Sequence, residues 1–175
     1  MPYFFAGFLF IFLDFNIKLS FGGALNLLPD FLGYAIILWA IYRGKQKNAH
    51  MCRATITACV ATALSLLEYG LNLFAVPLPV PAEFALSIAL TLGALYVSYE
   101  FGEWAKEIER TRYQKLETDK ISAAWIILCV ASLLEYLTVY LPEVALPCYV
   151  VHWIAVIWLE SAVFHFERAL AKSEK

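Results

Sequence analysis

Long apolar stretches constrain the fold of this chain more than any other feature of its sequence. Residues 54–76 contain a single charged residue, Glu68, and residues 121–141 contain only Glu135. Residues 84–99 and 144–159 contain no Asp, Glu, Lys or Arg. Because a helix needs about 20 apolar residues to cross roughly 30 Å of hydrocarbon, these four stretches predict membrane helices.

The amino-terminal part of the chain contains a less regular pair of apolar stretches. Residues 2–13 lead into Asp14, and residues 19–42 are interrupted by Asp30. We expect these stretches to form two more helices, with a re-entrant first segment as the alternative. The predicted fold is an all-α integral membrane bundle of about six transmembrane helices, in keeping with 62% hydrophobic and 16% charged residues. Soluble domains contain about 25% charged residues.

A short motif indicates an internal repeat. The tetrapeptide Leu-Leu-Glu-Tyr occurs at residues 66–69 and at residues 133–136, and residues 12–15 are a weaker copy, Phe-Leu-Asp-Phe. A proline follows the acid after 15, 13 and 12 residues in chain order. We therefore predict one domain, residues 1–175, made of three sequential helical hairpins, a pseudo-threefold repeat. The hairpins cover residues 2–43, 54–101 and 121–166, and residues 102–120 form a cytoplasmic helical linker.

The positions of Lys and Arg predict the orientation in the membrane. Basic residues gather between the second and third stretches, between the fourth and fifth, and in the carboxyl-terminal tail, whereas the other connections contain only Lys18. By the positive-inside rule the three basic regions are cytoplasmic. We expect a multi-pass protein of the bacterial cytoplasmic membrane with both termini in the cytoplasm.

The repeated acids are the main candidate site. A carboxylate near the bilayer centre costs at least about 2.5–3.5 kcal/mol, so such residues usually face the bundle interior and often mark a pathway. Helical periodicity places polar neighbours on the same faces as Glu68 and Glu135, whereas the first helix has no comparable polar face. The predicted ligand or ion site consists of Asp14, Glu68, Glu135, Ser65, Asn72 and Ser132. The alternative is structural: the acids cap turns or bond to neighbouring hydroxyl groups.

The fourth stretch contains small residues at four-residue intervals, namely Ala85, Ala89 and Gly93. Small residues at this spacing allow membrane helices to approach closely. We predict a helix-packing interface inside the bundle, with a contact to a protein partner or a second copy as the alternative. The polar stretch that follows is expected to be a solvated helical face or a docking surface for a partner.

Other chemistry has little support in the sequence. The net charge of −2 leaves no basic field, which argues against nucleic acid as a partner. No common catalytic or nucleotide-binding motif occurs, and we predict no catalytic residues, no metal site and no cofactor. Glu160 and His165 would be the pair used by an intramembrane enzyme, which is the third functional hypothesis.

Two resemblances add context. Residues 8–17 (FLFIFLDFNI) and 27–34 (LLPDFLGY) resemble a group of small uncharacterised bacterial polytopic membrane proteins. By helix count and size, the chain is also similar to the S subunits of energy-coupling factor vitamin transporters. Those subunits dock through an Ala-x-x-x-Ala pattern on the first helix, where this chain has only Ala6 and Gly7.

The sequence thus leads to a ranked set of functions. The first is a non-enzymatic membrane protein that binds or transports a small cationic or proton-coupled solute. The second is an accessory or interaction subunit of a larger membrane complex, and the third is an intramembrane enzyme. The expected partners are the lipid bilayer, a small solute or cation, and a membrane protein or a second copy of the chain.

Overall fold

The computed structural model describes residues 3–13, 16–18, 24–44, 48–112, 115–138 and 141–173. These residues form six α-helices, one β-hairpin and a short 3-10 turn at Pro142–Val144. The predicted helical class is confirmed. The helices are α1 (Tyr3–Phe12), α2 (Asp30–Gly44), α3 (Ala49–Leu73), α4 (Val80–Arg112), α5 (Thr118–Leu137) and α6 (Ala145–Ser173).

Three helices are long and apolar enough to cross a membrane: α3, α4 and α6. Helix α1 is apolar but has only 10 residues, about 15 Å at 1.5 Å per residue. Large apolar side chains are exposed on the outer faces of the bundle, for example Ile56 (62%) on α3 and Ile157 (62%) on α6. Extensive exposed apolar surface of this kind is typical of contact with lipid.

A β-hairpin replaces the first half of the predicted second helix. The helix expected over residues 19–42 is wrong in its start, because α2 begins at Asp30. Strand β1 (Asn16–Lys18) pairs antiparallel with β2 (Ala24–Asn26). The Asn26 side chain accepts a hydrogen bond from the Leu28 amide at 2.9 Å, which forms a turn after β2. Pro29 then precedes the helix, whose first turn carries the acid Asp30.

The six helices close into a ring and give the bundle two distinct ends. Each helix contacts the next in sequence, and α6 also contacts α1. The start of α1 lies beside the end of α6, because Glu167 accepts hydrogen bonds from the amides of Phe4 and Phe5. We call this the basic end. The opposite end, where α3 and α5 finish and α2, α4 and α6 begin, is the acidic end.

The half of the bundle towards the basic end has an aromatic core. Phe101 on α4 lies 4.7 Å from Phe4 and 5.6 Å from Phe8, between ring centroids, and 5.8 Å from Phe166 on α6. Phe8, Phe101 and Phe166 are each at most 1% exposed. These contacts join α1, α4 and α6 and fill the interior on that side.

Buried charge at the basic end joins α3 to α4. Glu100 is 1% exposed. Its carboxylate accepts hydrogen bonds from Arg53 Nε at 2.7 Å and Arg53 Nη2 at 3.0 Å, and it lies 2.7 Å from His50 Nδ1. The two-pronged Arg contact compensates for removing this carboxylate from water.

Helices α1 and α2 cross at two glycines. A Cβ atom on Gly33 would lie 2.5 Å from the Gly7 carbonyl oxygen, and one on Gly7 would lie 2.5 Å from Ile37 Cγ1. Real Cβ atoms do not approach so closely, so neither position accepts a side chain without moving a helix. This crossing sets the position of Asp30, three residues before Gly33.

We predict that Gly33→Ala destabilises the protein by about 1–3 kcal/mol, the usual cost of overpacking a core. The measurement is the free energy of unfolding as SDS replaces a mild detergent. Gly70→Ala is the matched control, because a Cβ atom on Gly70 meets nothing within 4 Å. Since Ala favours helix over Gly by up to about 1 kcal/mol, the control should be neutral or stabilising. Equal losses in the two variants would contradict the close crossing.

Candidate acidic cavity

A cavity of about 170 Å³ lies inside the acidic end, and side chains from all six helices line it. We call it the acidic cavity. Three of its lining residues are acids and one is a histidine; the rest are small, polar or apolar. They are Ile11, Phe12, Asp30, Glu68, Ser87, Leu90, Thr91, Ala94, Ser132, Glu135 and His152. At about 30 Å³ for each water molecule of the liquid, this volume corresponds to a handful of waters.

Helix ends position the titratable groups. Asp30 is the first residue of α2, Glu68 comes five residues before the end of α3, and Glu135 comes two residues before the end of α5. Ser87 and His152 are each the eighth residue of their helices, α4 and α6. At about 1.5 Å per residue, these titratable groups therefore lie within roughly 10 Å of the acidic end, and the cavity extends deeper, to Ala94 on α4.

One pair of side chains has the geometry of a charge-assisted contact. Glu135 Oε2 lies 3.3 Å from His152 Nδ1, and their side chains are 28% and 16% exposed. A protonated imidazole would form an ion pair with this carboxylate, whereas a neutral imidazole carries no charge to offset it. The net charge of the cavity therefore depends on the protonation of His152.

Hydroxyl groups form one side of the cavity. The Tyr136 hydroxyl lies 2.8 Å from Thr91 Oγ1 and 3.3 Å from Ser87 Oγ, which joins α5 to α4. Deeper in the bundle, the Tyr34 hydroxyl donates to the Leu90 carbonyl at 3.5 Å, and Tyr34 is 1% exposed. The cavity thus offers oxygen atoms from carboxylates and hydroxyls around one small volume.

Half of the residues predicted for the site line the cavity. Glu68, Glu135 and Ser132 do, although they come from two different repeats. Ser65 is 3% exposed, and its hydroxyl donates to the Thr62 carbonyl at 3.4 Å, which accounts for its burial on helix α3. Asn72 is exposed near the end of α3, outside the lining of the cavity. Asp14 lies outside the described residues.

Two titratable lining residues, Asp30 and His152, were not predicted from the sequence. The favourable interaction of an acid in the first turn of α2 with the helix dipole already explains Asp30. Its position in the cavity lining was therefore not predicted. His152 was set aside because it is five residues past Pro147 and belongs to no motif. One sequence feature could have identified both residues: each lies a short distance after the start of its helix. Because α2 and α6 start at the end of the bundle where α3 and α5 finish, these positions lie at the same end as Glu68 and Glu135.

The predicted packing residues on α4 divide between two environments. A Cβ atom on Gly93 would lie 3.5 Å from Ala61 Cβ, so Gly93 faces helix α3. Ala85 and Ala89 are exposed. The two residues of the hypothetical enzyme pair also lie in different environments: Glu160 is buried, with 6% exposure, whereas His165 is exposed.

Comparison with protein-family models, curated proteins and solved structures finds no match to this chain. The functional inference therefore rests on the chemistry of the acidic cavity. Among the described residues, no group of three or more His, Cys, Asp and Glu side chains is arranged to hold a metal ion.

We predict that Tyr136→Phe destabilises the α4–α5 contact by about 0.5–1.5 kcal/mol, the usual net value of a hydrogen bond. The loss should be seen in the free energy of unfolding by SDS. The matched control is Tyr149→Phe, because Tyr149 is 49% exposed near the same end. Equal effects of the two substitutions would show that the hydroxyl contacts with Thr91 and Ser87 contribute nothing.

Proposed function

We propose that this protein binds a small cationic solute in the acidic cavity and moves it across the bacterial cytoplasmic membrane. The observation that carries the proposal is the convergence of Asp30, Glu68 and Glu135 on one cavity that all six helices line. An acid that only capped its own turn would have no reason to share a cavity with acids from two other hairpins.

The charge of the acidic cavity determines which class of ligand we expect it to bind. Three carboxylates in a site of low dielectric repel one another, so they either bind protons or are neutralised by a cation. His152 supplies at most one positive charge opposite them, beside Glu135. A monovalent inorganic or organic cation would reduce the repulsion among these acids, whereas an anion would add to it.

The proposed arrangement has six helices in the membrane, with the basic end in the cytoplasm. Helices α3, α4 and α6 span it, and α5, with 20 residues, has the length of about 30 Å that spanning requires. Helices α1 and α2 enter from the cytoplasmic side, and the β-hairpin lies at the outer interface. Unpaired strand edges are not tolerated in hydrocarbon, which favours this placement of the hairpin.

The test is the double variant Glu68→Gln, Glu135→Gln. The parent protein in mild detergent should gain thermal stability when sodium, methylammonium or guanidinium chloride is added at constant ionic strength. Mass action gives about 2.7 kcal/mol when the free cation is 100 times its Kd. The double variant should lose this gain, because amides cannot offset a positive charge.

The matched control is Glu83→Gln, Glu143→Gln, which removes two exposed acids from the same end of the bundle. It should keep the full response to the cation. In the parent, the response should weaken as the pH falls, because protonated carboxyl groups and a protonated His152 both reduce the attraction for a cation. A parent protein that no member of this set stabilises, or a double variant that responds fully, would refute the proposal.

A further inference from the structure

Glu160 is a buried acid that the acidic cavity does not use. It lies on α6, is 6% exposed, and neither of its carboxyl oxygens has a hydrogen-bond partner among the described residues. Its neighbours along the helix, Leu159 and Val163, are at most 1% exposed. An ionised carboxylate without a partner in such surroundings carries a large desolvation cost, so the protonated form is favoured.

Glu160 lies between two titratable groups on the same face of α6. At about 100° per residue, His152, Glu160 and Glu167 fall within an arc of about 80°. His152 lines the acidic cavity, and Glu167 lines a second cavity of about 400 Å³ at the basic end. Along the helix, Glu160 is about 12 Å from His152 and about 10 Å from Glu167.

Glu160 and Glu167 differ in their hydrogen-bond partners. Glu167 accepts hydrogen bonds from the amides of Phe4 at 3.1 Å and Phe5 at 3.0 Å, at the amino terminus of α1. These N–H groups and the positive end of the α1 dipole offset part of the cost of burying its carboxylate. The Glu160 carboxyl group has no such partner among the described residues, so a bound proton is its remaining way to lower that cost.

Other charged groups near this part of α6 are few. Helix α1 has no Asp, Glu, Lys, Arg or His, and α5 has none between Lys120 and Glu135. From α4, Glu100 is already paired with Arg53 and His50. On α6 itself, His165 is exposed. The groups left to exchange a proton with Glu160 are Glu167 towards the basic end, and His152 and Glu135 towards the acidic end.

We propose that Glu160 is a proton-binding site that couples movement of the cation to movement of a proton between the two cavities. This inference rests on the proposed function and names its coupling ion. In one direction the Glu160 O–H bond breaks, and the proton passes to Glu167 or to the basic-end cavity. The resulting Glu160 carboxylate regains a proton from protonated His152 or from the acidic cavity. The cycle closes when His152 takes up a proton from the acidic cavity and Glu167 releases one to the basic-end cavity, so that one proton is transferred and every side chain ends as it began.

The first experiment detects the proton itself. Infrared spectroscopy of the parent protein in lipid should show protonated carboxylic-acid absorption that Glu160→Gln reduces. The exposed-acid control Glu83→Gln should leave it unchanged. The component that Glu160→Gln removes should also shrink when the pH of the parent sample is raised. Absorption that Glu160→Gln leaves undiminished, or a Glu160 component that stays constant at every pH, would overturn the proposal.

The second experiment measures proton movement. Vesicles containing the protein and a trapped pH-sensitive dye receive a potassium diffusion potential through valinomycin, with methylammonium present on one side. Proton flux in Glu160→Gln should fall by about two orders of magnitude, the scale typical of losing a positioned proton-transfer group. Glu160→Asp, which keeps a carboxyl group, should retain part of the flux, and Glu83→Gln all of it.

The two proposals fail in different ways. If Glu160→Gln keeps the thermal response to cations and loses proton flux, Glu160 couples the proton and the acidic cavity binds the solute. If Glu160→Gln retains parental proton flux, the coupling role is wrong, whatever the cavity binds. If no cation stabilises the parent, the proposed function fails, and the infrared band still decides whether Glu160 binds an exchangeable proton.

Discussion

The free energy of placing a carboxylate in a low-dielectric interior governs the polar architecture of this bundle. The buried and partly buried acids among the described residues meet that cost in different ways. Glu100 is paired with Arg53 and His50, and Glu167 accepts amide hydrogen bonds at the start of α1. Asp30 lies at a helix start, and Glu68 and Glu135 share a polar cavity. In our proposal, Glu160 meets the cost by holding a proton.

The fold places Glu100 and Glu167 towards the basic end and the cavity-lining acids towards the acidic end. Aromatic packing around Phe101 fills the interior near the basic end, and the Gly7–Gly33 crossing holds α1 and α2 close together. The acidic end has smaller side chains, such as Ser87 and Ala94, and there a cavity remains open between the helices. The bundle thus has a polar cavity towards one end and a packed core towards the other.

The sequence predicted the helical class and two of the acids that line the cavity, because hydrophobic length and repeated motifs carry that information. It did not predict the β-hairpin, since residues 19–29 are as apolar as a helix, and the turn at Asn26 decided the outcome. It did not predict His152 and Asp30 as lining residues, because whether they line a cavity depends on which helix ends meet in the fold. For Ser65, helical periodicity correctly predicted a buried face of the helix. It could not predict that the Ser65 hydroxyl donates a hydrogen bond to a backbone carbonyl of the same helix.

The central claim, that the acidic cavity is a solute site reached from outside the cell, is tested most directly by labelling a cysteine placed in it. In a protein whose four native cysteines are replaced by alanine, Ser87→Cys should react with a membrane-impermeant thiol reagent added outside intact cells. The cation that stabilises the parent protein most should slow that reaction. Labelling only from the cytoplasmic side, or labelling that this cation leaves unchanged, would contradict this account.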